Sequence, residues 1–569
     1  MTNKRKLLAA MGTAIVSMSL MGCGKGRMQS QLVKKAPVEK TEVGALVQLK
    51  SSQDLESLLE SFPQARYRIL SEKHHLFEIF NVELTKLAQS QLVAEVYQNN
   101  DVFQYKPEQQ NLLEEKIFFQ NQTLKESPKP CEGEPGQIYI NVQDSEEIQN
   151  KIHLLGTSLK FDAHNSSYND GSPAELKFFW AVLYPKGSVL AQNTDTGISI
   201  FSGEKLEVTP DSMGMYQMQV LAQDSHNKCS LLSLQFYVTQ NPKYVRYPDN
   251  EQITQAPIEL DLHHIAEIGW DKQNQTTTGD HVVVAVVDSG VNYNHKALNA
   301  NIFTNINEIP DNNIDDDQNG FVDDVVGYDF AFGDSQPFDD QGHGTHVAGL
   351  IASPATGIAS HAKILPIKAM SATGDVGSVA AAILYAVDSG ADIINLSLGN
   401  YGAPHPLLVM ALSYAEQKDV LVVAAAGNGD EYGVGVNTDE TPHFPSSLPH
   451  SNLITVAACG KGEALTSYSN YGSSTVDITA PGGNFERQIM STMYDNPQHQ
   501  LYIGNSGTSM ATPIVSGALA LVKELAPHLT AAEIIKLVSE NGQKMAELQG
   551  KVTSGSELNI KNVIDILKK

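Results

Sequence analysis

Five continuous apolar runs in the second half of the chain constrain its fold more than any other feature of the sequence. Each run ends at Gly, Asn or Ser, and together they cover residues 282–290, 362–371, 391–399, 420–428 and 452–460. The stretches between them carry apolar residues at helical spacing. Strands that are buried on both faces are apolar throughout, so the pattern predicts an α/β domain in which a parallel sheet has helices on both faces. Functional groups of such sheets gather at the carboxyl ends of the strands.

The length and the charge of the chain exclude several classes of protein. Its 569 residues exceed the size of a single ordinary domain, so we expect a multidomain protein. The 39 Lys and Arg residues against 65 Asp and Glu give a net charge of −26. This acidic balance argues against a nucleic-acid partner, which requires a basic surface. Four cysteines, none in a CxxC pair, exclude a disulfide-dense scaffold and a cysteine zinc site.

The first 22 residues have the pattern of an export signal. A basic start at Lys4, Arg5 and Lys6 precedes a short apolar stretch that ends near Met21. This stretch is too short and too interrupted to span a membrane, and a buried N-terminal helix is the alternative interpretation. The end of the segment resembles a bacterial lipoprotein signal, in which Cys23 is lipidated. The resemblance implies an exported protein attached by lipid to the outer membrane or the cell surface.

Composition and periodicity divide the rest of the first half. We expect a tether at residues 23–42, a small α+β domain of order β-α-β-β-α-β at 43–112 and a linker at 113–136. Short alternating runs separated by turn residues at 137–240 predict an antiparallel β-sandwich. This region resembles the immunoglobulin-like modules of exported bacterial enzymes. Cys131 and Cys229 lie near its two ends, and we predict that they pair, since an exported protein meets an oxidising compartment.

Three segments of the region 250–569 supply the groups that activate a serine. Asp288 closes an apolar run, His343 lies between two glycines at the start of a helical stretch, and Ser509 lies where a Gly-rich loop enters a helix. A hydroxyl is a weak nucleophile at neutral pH and needs an imidazole to take its proton. The imidazole in turn needs a carboxylate to fix its tautomer. Asn428 ends another run, and its amide is a candidate donor to a developing oxyanion.

These residues lie in the motifs DSG, HGTHVAG, AAAGN and GTSMATP, which resemble, in this order, those of the subtilisin-like serine proteases. The resemblance covers about residues 255–569. It implies that Asp288 orients the base, that His343 is the general base and acid, and that Ser509 is the nucleophile. It also implies that Asn428 serves the oxyanion hole. By the same resemblance, the backbone strip that pairs with an extended peptide substrate and lines the pocket for the residue before the cut is Ser397, Leu398 and Gly399. A second strip, Ala425, Ala426 and Gly427, forms another wall of that pocket.

An acidic insertion at residues 311–330 is a candidate calcium site. Its residues resemble the first half of an EF-hand loop, although Val326 stands where that loop has its last glutamate. Similar acidic loops bind structural Ca²⁺ in many subtilisin-like proteases, and a solvated surface loop is the alternative. We expect no organic cofactor. The candidate ligands are Asp315, Asp317, Asn319, Phe321 through its carbonyl, Asp323 and Asp324.

The resemblance extends to the small N-terminal domain. Residues 43–112 are similar to the inhibitory propeptides of this family, which assist folding and cover the active site until they are removed. The sequence therefore predicts an exported serine endopeptidase that cleaves proteins or peptides through an acyl-enzyme and is inhibited by its own propeptide. The alternative is a lipid-anchored binding or adhesion protein whose protease-like domain is inactive. The intact set of Asp288, His343, Asn428 and Ser509 argues for the enzyme.

Overall fold

The computed structural model gives three successive units. It describes residues 45–51, 54–62, 65–80, 82, 84–98, 102–104, 138–140, 142, 152–154, 158–168, 175–184, 198–210, 214–239, 244–248, 252–253, 260–271, 277–339, 341–370, 373–493 and 501–569. The predicted export signal, the tether, the linker and the residues Cys23 and Cys131 lie outside these ranges. Among the residues described, no helix is both long and apolar enough to cross a lipid bilayer.

In chain order the first unit is β-α-β-β-α-β-β, which has one strand more than the predicted order. Its antiparallel sheet has the strand order β2-β3-β1-β4. Alternate residues of the first strand serve two cores: Ala45, Val47 and Leu49 pack on the unit's own helices, whereas Leu46 packs on the third unit. The elements are β1 (Ala45–Leu49), α1 (Asp54–Ser61), β2 (Arg66–Ser71), β3 (Leu76–Phe80), α2 (Leu84–Ala88), β4 (Val93–Gln98) and β5 (Val102–Gln104).

The second unit is built from strands, nearly all of them antiparallel. A five-stranded sheet of order β11-β10-β13-β14-β7 accompanies the pairs β12-β8 and β6-β9. Trp180 is fully buried in the shared core, and its indole N–H donates to the Gly203 carbonyl oxygen at 2.7 Å. The strands are β6 (Ile138–Tyr139), β7 (Ile152–Leu154), β8 (Leu159–Asp162), β9 (Ser167–Tyr168), β10 (Leu176–Leu183), β11 (Ile198–Ser202), β12 (Lys205–Val208), β13 (Gly214–Asp224) and β14 (Cys229–Thr239).

The cysteines of these units have different environments. Cys229 begins β14 and is disulfide-bonded. Its pairing with Cys131 stays a prediction. Cys459, in the third unit, is a buried free thiol whose Sγ lies 3.2 Å from Glu557 Oε1. Burial raises its pKa well above the usual value, so this thiol is poorly reactive.

The third unit has the predicted parallel sheet. Its strand order is β16-β17-β15-β19-β21-β23-β24-β28-β27, with only the last pair antiparallel. The elements are α3 (His263–Glu267), β15 (Val283–Asp288), β16 (Tyr328–Asp329), α4 (His343–Ala352), β17 (Lys363–Lys368), β18 (Thr373–Asp375), α5 (Val376–Asp388), β19 (Ile393–Leu396), β20 (Asn400–Tyr401), α6 (Pro406–Gln417), β21 (Leu421–Ala425), β22 (His443–Phe444), β23 (Leu453–Cys459), β24 (Ile478–Pro481), β25 (Ile489–Thr492), β26 (Tyr502–Asn505), α7 (Thr508–Leu525), α8 (Ala531–Glu540), β27 (Gln543–Lys544), β28 (Ser556–Glu557) and α9 (Ile560–Leu567).

Helices cover both faces of this sheet. Val284 and Val286 of β15 face a core that includes α4 and α7, whereas Ala285 and Val287 face a core that includes α5 and α6. Both sets of strand residues are apolar because neither face meets water. The sheet therefore presents its polar groups at the ends of its strands, and the carboxyl ends carry the candidate site.

Candidate active site

The candidate site lies at the carboxyl ends of three neighbouring parallel strands. β15, β19 and β21 are adjacent in the sheet. Asp288 is the last residue of β15, Ser397 follows β19 directly, and Asn428 lies three residues beyond β21. Parallel strands bring their carboxyl ends to one edge, so residues far apart in the sequence lie together there.

Asp288 and His343 form a buried pair. The Asp288 Oδ1 and His343 Nδ1 atoms are 2.6 Å apart, and Oδ1 also accepts the Ser289 backbone N–H at 2.7 Å. Both side chains are buried. With the Nδ1 proton held by the carboxylate, the lone pair of the neutral imidazole lies on Nε2. The pair is therefore arranged so that the histidine can act as a base through Nε2.

The glycine after His343 allows this approach. His343 is the first residue of α4, and Gly342 before it has φ +88°. A Cβ at Gly344 would overlap the carbonyl oxygen of Gly290, which follows the Asp288 turn. The close contact between the two segments thus requires a residue without a side chain at this position.

Ser509 is held at the start of α7 by Ser397. The Ser509 Oγ donates to the Ser397 carbonyl oxygen at 3.2 Å, and the Ser397 Oγ donates to the Ser509 carbonyl oxygen at 3.0 Å. Pro513, four residues after Ser509, has no N–H to bond that carbonyl within the helix, and Ser397 supplies a donor instead. Because α7 packs against α4, the helix that carries Ser509 in its first turn is fixed relative to the one that begins at His343.

The Asn428 amide is oriented by the residue before the serine. Its Oδ1 accepts the Thr508 backbone N–H at 2.9 Å and the Thr508 Oγ1 hydrogen at 2.8 Å. The oxygen end is thus fixed on Thr508, and the NH₂ end points away from it. Asn428 is partly exposed, whereas Asp288, His343 and Ser509 are buried. A partly exposed amide donor beside a hydroxyl suits the stabilisation of negative charge on a bound substrate oxygen.

The two predicted substrate strips flank Ser509. The first, Ser397 to Gly399, is tied to Ser509 as described, and Leu398 within it is buried. The second follows β21 and comprises Ala425, Ala426 and Gly427. It is tied to α7 because the Gly427 N–H donates to Thr508 Oγ1 at 3.3 Å. The structure therefore places the first strip beside the Ser509 hydroxyl and the second beside the neighbouring Thr508, although their role in binding a peptide stays a prediction.

Sequence reasoning missed Asp339, a buried carboxylate that joins the two segments of the Asp288–His343 pair. It accepts the Ser289 hydroxyl at 2.8 Å, the Gly342 N–H at 2.8 Å, and both the N–H and the hydroxyl of Thr345. Burial raises the pKa of the Asp339 carboxyl, and the hydrogen bonds that it accepts offset part of this rise. The sequence did contain one signal: Asp339 lies four positions before His343, near the start of a helix. Carboxylates at such positions cap exposed backbone N–H groups.

The acidic insertion brings together only some of its predicted ligands. The carboxylates of Asp315, Asp317 and Glu308 offer oxygen atoms that all lie within 4.8 Å of one another. Glu308 precedes the insertion and was not predicted. An all-oxygen set of carboxylates fits the preference of Ca²⁺.

The other four predicted ligands are engaged differently. Asp323 accepts the N–H groups of Asn312 and Asn313, and Asp324 accepts the Tyr385 hydroxyl at 2.6 Å. Asn319 Oδ1 accepts the Phe321 N–H at 2.8 Å, while the Phe321 ring packs on aromatic neighbours. Asp323 and Asp324 are not part of the acidic group, whereas the Asn319 backbone N–H donates to the Asp315 and Asp317 carboxylates at 3.0 Å. Their place in a calcium site stays a prediction.

The chain is similar to known serine proteases in this third unit. Residues 279–553 match the subtilase family. Over 280 residues, 48% of this chain, it is 36% identical to thermitase from Thermoactinomyces vulgaris, of which the alignment covers 83%. It is 38% identical over 247 residues to the thermophilic serine proteinase of Bacillus sp. strain AK1, with 42% of this chain and 51% of that protein covered. It is 33% identical over 309 residues to the extracellular protease of Xanthomonas campestris, with 48% and 49% covered.

The fold and the site define the class to which the chain belongs. A parallel sheet with an Asp–His pair, a helix-start serine and an asparagine at its carboxyl edge has the organisation of an α/β serine hydrolase. The chain belongs to the subtilase family. It spans about half the length of the Bacillus and Xanthomonas relatives. The family assignment therefore concerns the third unit.

Proposed function

We propose that this protein is an exported serine endopeptidase that hydrolyses peptide bonds through an acyl-enzyme. The observation that carries the proposal is the 2.6 Å contact between Asp288 and His343, which fixes the basic nitrogen of a buried imidazole. Ser509 and Asn428 lie at the same edge of the sheet. The name of the Bacillus relative, thermophilic serine proteinase, supports the same activity.

We propose a step for each residue. His343 Nε2 takes the Ser509 proton as the serine oxygen attacks the substrate carbonyl carbon, and Asp288 stabilises the imidazolium that forms. The negative oxygen of the tetrahedral intermediate accepts hydrogen bonds from the Asn428 amide and the Ser509 N–H at the start of α7. His343 then gives the proton to the leaving amine, and water repeats the sequence to release the acid. No step requires an organic cofactor.

Internal cleavage of a protein substrate tests this proposal. The protein is incubated with an unfolded protein, and the new N-termini are identified by mass spectrometry. We expect cuts inside the substrate that disappear in Ser509→Ala. Binding of the substrate without any new N-terminus would favour the alternative, an adhesion protein with an inactive protease-like domain.

We infer that the first unit is an inhibitory propeptide, and its last strand carries the argument. β5 pairs antiparallel with β18 of the third unit, with Phe103 opposite Gly374, and it also contacts β20. β20 follows directly after the substrate strip that ends at Gly399. A chain segment added between β18 and β20 occupies the position of an extended peptide that binds by strand addition. This arrangement supports a unit that covers the cleft until it is cut away.

The first unit packs against helices α5 and α6 through apolar side chains and a buried arginine. Leu46, Leu70 and Leu76 enter the core that these helices share with the sheet. Arg68 is buried. Its guanidinium donates to the Phe330 carbonyl oxygen at 2.9 Å, beside an ion pair with Glu78 of its own unit at 2.8 Å. The interface thus combines buried apolar side chains with a buried charged contact.

We expect Arg68→Ala to weaken the cover of the active site. Removing one member of a buried charged pair costs about 3–5 kcal/mol and leaves Glu78 buried without its cation. The uncleaved chain should therefore react with a small serine-directed fluorophosphonate at least tenfold faster than the wild type, as measured by labelling of the full-length band on a gel. Glu78→Gln is the control, because it breaks the same ion pair and leaves the Arg68 bond to Phe330. Equal labelling rates for the two variants would refute a role for Arg68 across the interface.

We propose that Cys23 carries a lipid and that the first unit is therefore the part held at the membrane. Cleavage between residues 110 and 130 would then release the second and third units. The name of the Xanthomonas relative, extracellular protease, supports export. Mass analysis of the mature N-terminus tests both points: a lipid on Cys23 in the uncleaved chain and a lipid-free N-terminus beyond residue 110 in the active form are expected.

We propose that the domain limits are those predicted from composition, with the second unit an immunoglobulin-like module. The antiparallel strands and the buried Trp180 support this assignment. Pairing of Cys131 with Cys229 would close this module between its first segment and its last hairpin. A peptide map of the non-reduced protein that joins these two cysteines is the expected result.

We propose that the acidic group of Glu308, Asp315 and Asp317 holds a structural Ca²⁺. Three carboxylates within 4.8 Å repel one another, and a cation bound among them relieves that repulsion. The ion would hold the insertion against the sheet, where Phe321 packs in the core beside α5.

Chelation is expected to destabilise the protein. A ligand at 100 times its Kd stabilises the folded state by about 2.7 kcal/mol, which corresponds to a Tm shift of about 5 °C or more. Calorimetry with and without EGTA measures the shift. Asp315→Asn should remove most of it. Asp316→Asn, which makes the same charge change beside the group, should retain it, and the same shift in both variants would place the ion elsewhere.

A further inference from the structure

The His443 imidazole fills the space between the two substrate strips. A Cβ at Gly399, the end of the first strip, would overlap the ring at Cε1. A Cβ at Gly427, the end of the second strip, would lie 2.5 Å from Asn470 Nδ2 and 2.9 Å from His443 Nε2. The ring therefore touches the backbone of both glycines, and only 5% of His443 is exposed. No family motif in the sequence marks this residue.

The two glycines lie beside the candidate catalytic residues, so this contact affects where a substrate side chain can lie. Gly427 directly precedes Asn428, and the first strip begins at Ser397, whose carbonyl accepts the Ser509 hydroxyl. A substrate carbonyl within reach of Ser509 and Asn428 must place the side chain of its own residue against these strips. The absence of side chains at Gly399 and Gly427 opens a recess between them, and the imidazole of His443 occupies that recess.

Several contacts hold the ring in place. Its Nδ1 lies 2.9 Å from Ser446 Oγ, and Ser446 Oγ donates to the His443 carbonyl oxygen at 2.9 Å. The Tyr401 ring meets the imidazole edge-on at 5.1 Å. The backbone is fixed as well, because β22 pairs with β20 through His443 opposite Tyr401. The ring would have to break these contacts to move out of the recess.

We propose that His443 limits the residue on the amino side of the cleaved bond to a small side chain, such as Gly, Ala or Ser. The proposal rests on the proposed peptidase function and adds its substrate class. A large side chain would have to occupy the volume of the imidazole or displace it, and overpacking of a closed site is unfavourable. Alanine, whose side chain is a single methyl group, fits above the ring.

Two irreversible peptide probes test the proposal. They are peptidyl phosphonate diphenyl esters that differ only in the side chain next to phosphorus, methyl in one and benzyl in the other. The wild-type protein should react with the methyl probe at least 50-fold faster. His443→Gly should lower that ratio at least tenfold, because a pocket that gains this volume accepts the ring. His443→Asn, which is smaller and keeps a polar group near Ser446, should give an intermediate ratio and serves if the glycine variant does not fold.

The control variant is His450→Ala. His450 follows β22 in the same loop, but its imidazole lies 3.0 Å from Glu416, away from the strips. The ratio of the reaction rates with the methyl and benzyl probes in His450→Ala should equal that of the wild type.

Labelling with a small fluorophosphonate distinguishes failure of the His443 proposal from failure of the peptidase proposal. If it labels Ser509 while the wild type reacts equally fast with both peptide probes, the role of His443 is overturned and the peptidase proposal stands. If Ser509 is not labelled at all, both are overturned. An unchanged ratio in His443→Gly and His443→Asn also overturns the role of His443.

Discussion

Replacing Ser509 with alanine is expected to lower kcat for peptide hydrolysis by about 10⁶-fold, the loss that removal of the nucleophile causes in subtilisin, a member of the same family. The Ser509 hydroxyl supplies the attacking oxygen, and no neighbouring group replaces it. His343→Ala should cost a similar factor, since the hydroxyl then has no base. The double variant should be no worse than either single one, because the two residues act as a unit.

Self-processing gives a second readout for the same variants. If the enzyme removes its own first unit, Ser509→Ala should keep the full-length mass under conditions in which the wild type shortens. Ser506→Ala is the matched control, because its hydroxyl lies in the same loop and donates to the Asn484 carbonyl at 3.4 Å. This control should process normally. More than 1% residual hydrolysis by purified Ser509→Ala would contradict the assignment of the nucleophile.

Replacing Asn428 with alanine is expected to lower kcat by about 10²–10³-fold with little change in KM. One oxyanion donor contributes about 2.7–4 kcal/mol of transition-state stabilisation, and it does so only when the substrate oxygen is negative. The effect should therefore fall on kcat. Steady-state kinetics on a peptide nitroanilide, together with the Tm of each variant, measures it.

The aspartate variant separates this electrostatic role from a structural one. Asn428 Oδ1 holds the start of α7 through Thr508, and Asn428→Ala removes that support as well. Asn428→Asp keeps the acceptor for Thr508 and replaces the NH₂ donor with an oxygen. It should be at least as impaired in kcat as the alanine variant, with a Tm close to that of the wild type. Recovery of activity in Asn428→Asp would show that the amide acts only as a support.

The fold of the third unit could be predicted because its pattern is local. Apolar runs such as residues 420–428 are long enough to show burial on both faces, and the polar residue that ends each run marks the carboxyl end of a strand. The pattern therefore predicts that Asp288, Ser397 and Asn428 lie at one edge of the sheet. Local patterns also predict most elements of the first unit, whereas the pairing of β5 with β18 depends on a contact between two units and has no local pattern.

The residues that sequence reasoning missed act through contacts between distant segments. Glu308 joins the acidic group from outside the insertion, and Asp339 joins the Asp288 turn to the helix of His343. His443 lies in a two-residue strand whose importance depends on two glycines elsewhere. No periodicity marks such residues, because each is defined by what folds against it.

The interface of the first unit was hidden for a related reason. Arg68 alternates with Tyr67 and Ile69 in a strand that looks half exposed, and a charged residue there predicts a solvated face. In the structure that face is covered by α5, and the guanidinium is buried against Phe330. A strand's second face can be assigned only when its partner unit is known.

The central claim is that Asp288 and His343 activate Ser509. The most direct measurement is the site and stoichiometry of covalent labelling of the processed protein by a fluorophosphonate, determined by intact mass and peptide mapping. The account predicts one adduct per chain, on Ser509, with a labelling rate that falls at least 10³-fold in His343→Ala. An adduct on another residue, or labelling of Ser509 that is independent of His343, would contradict it.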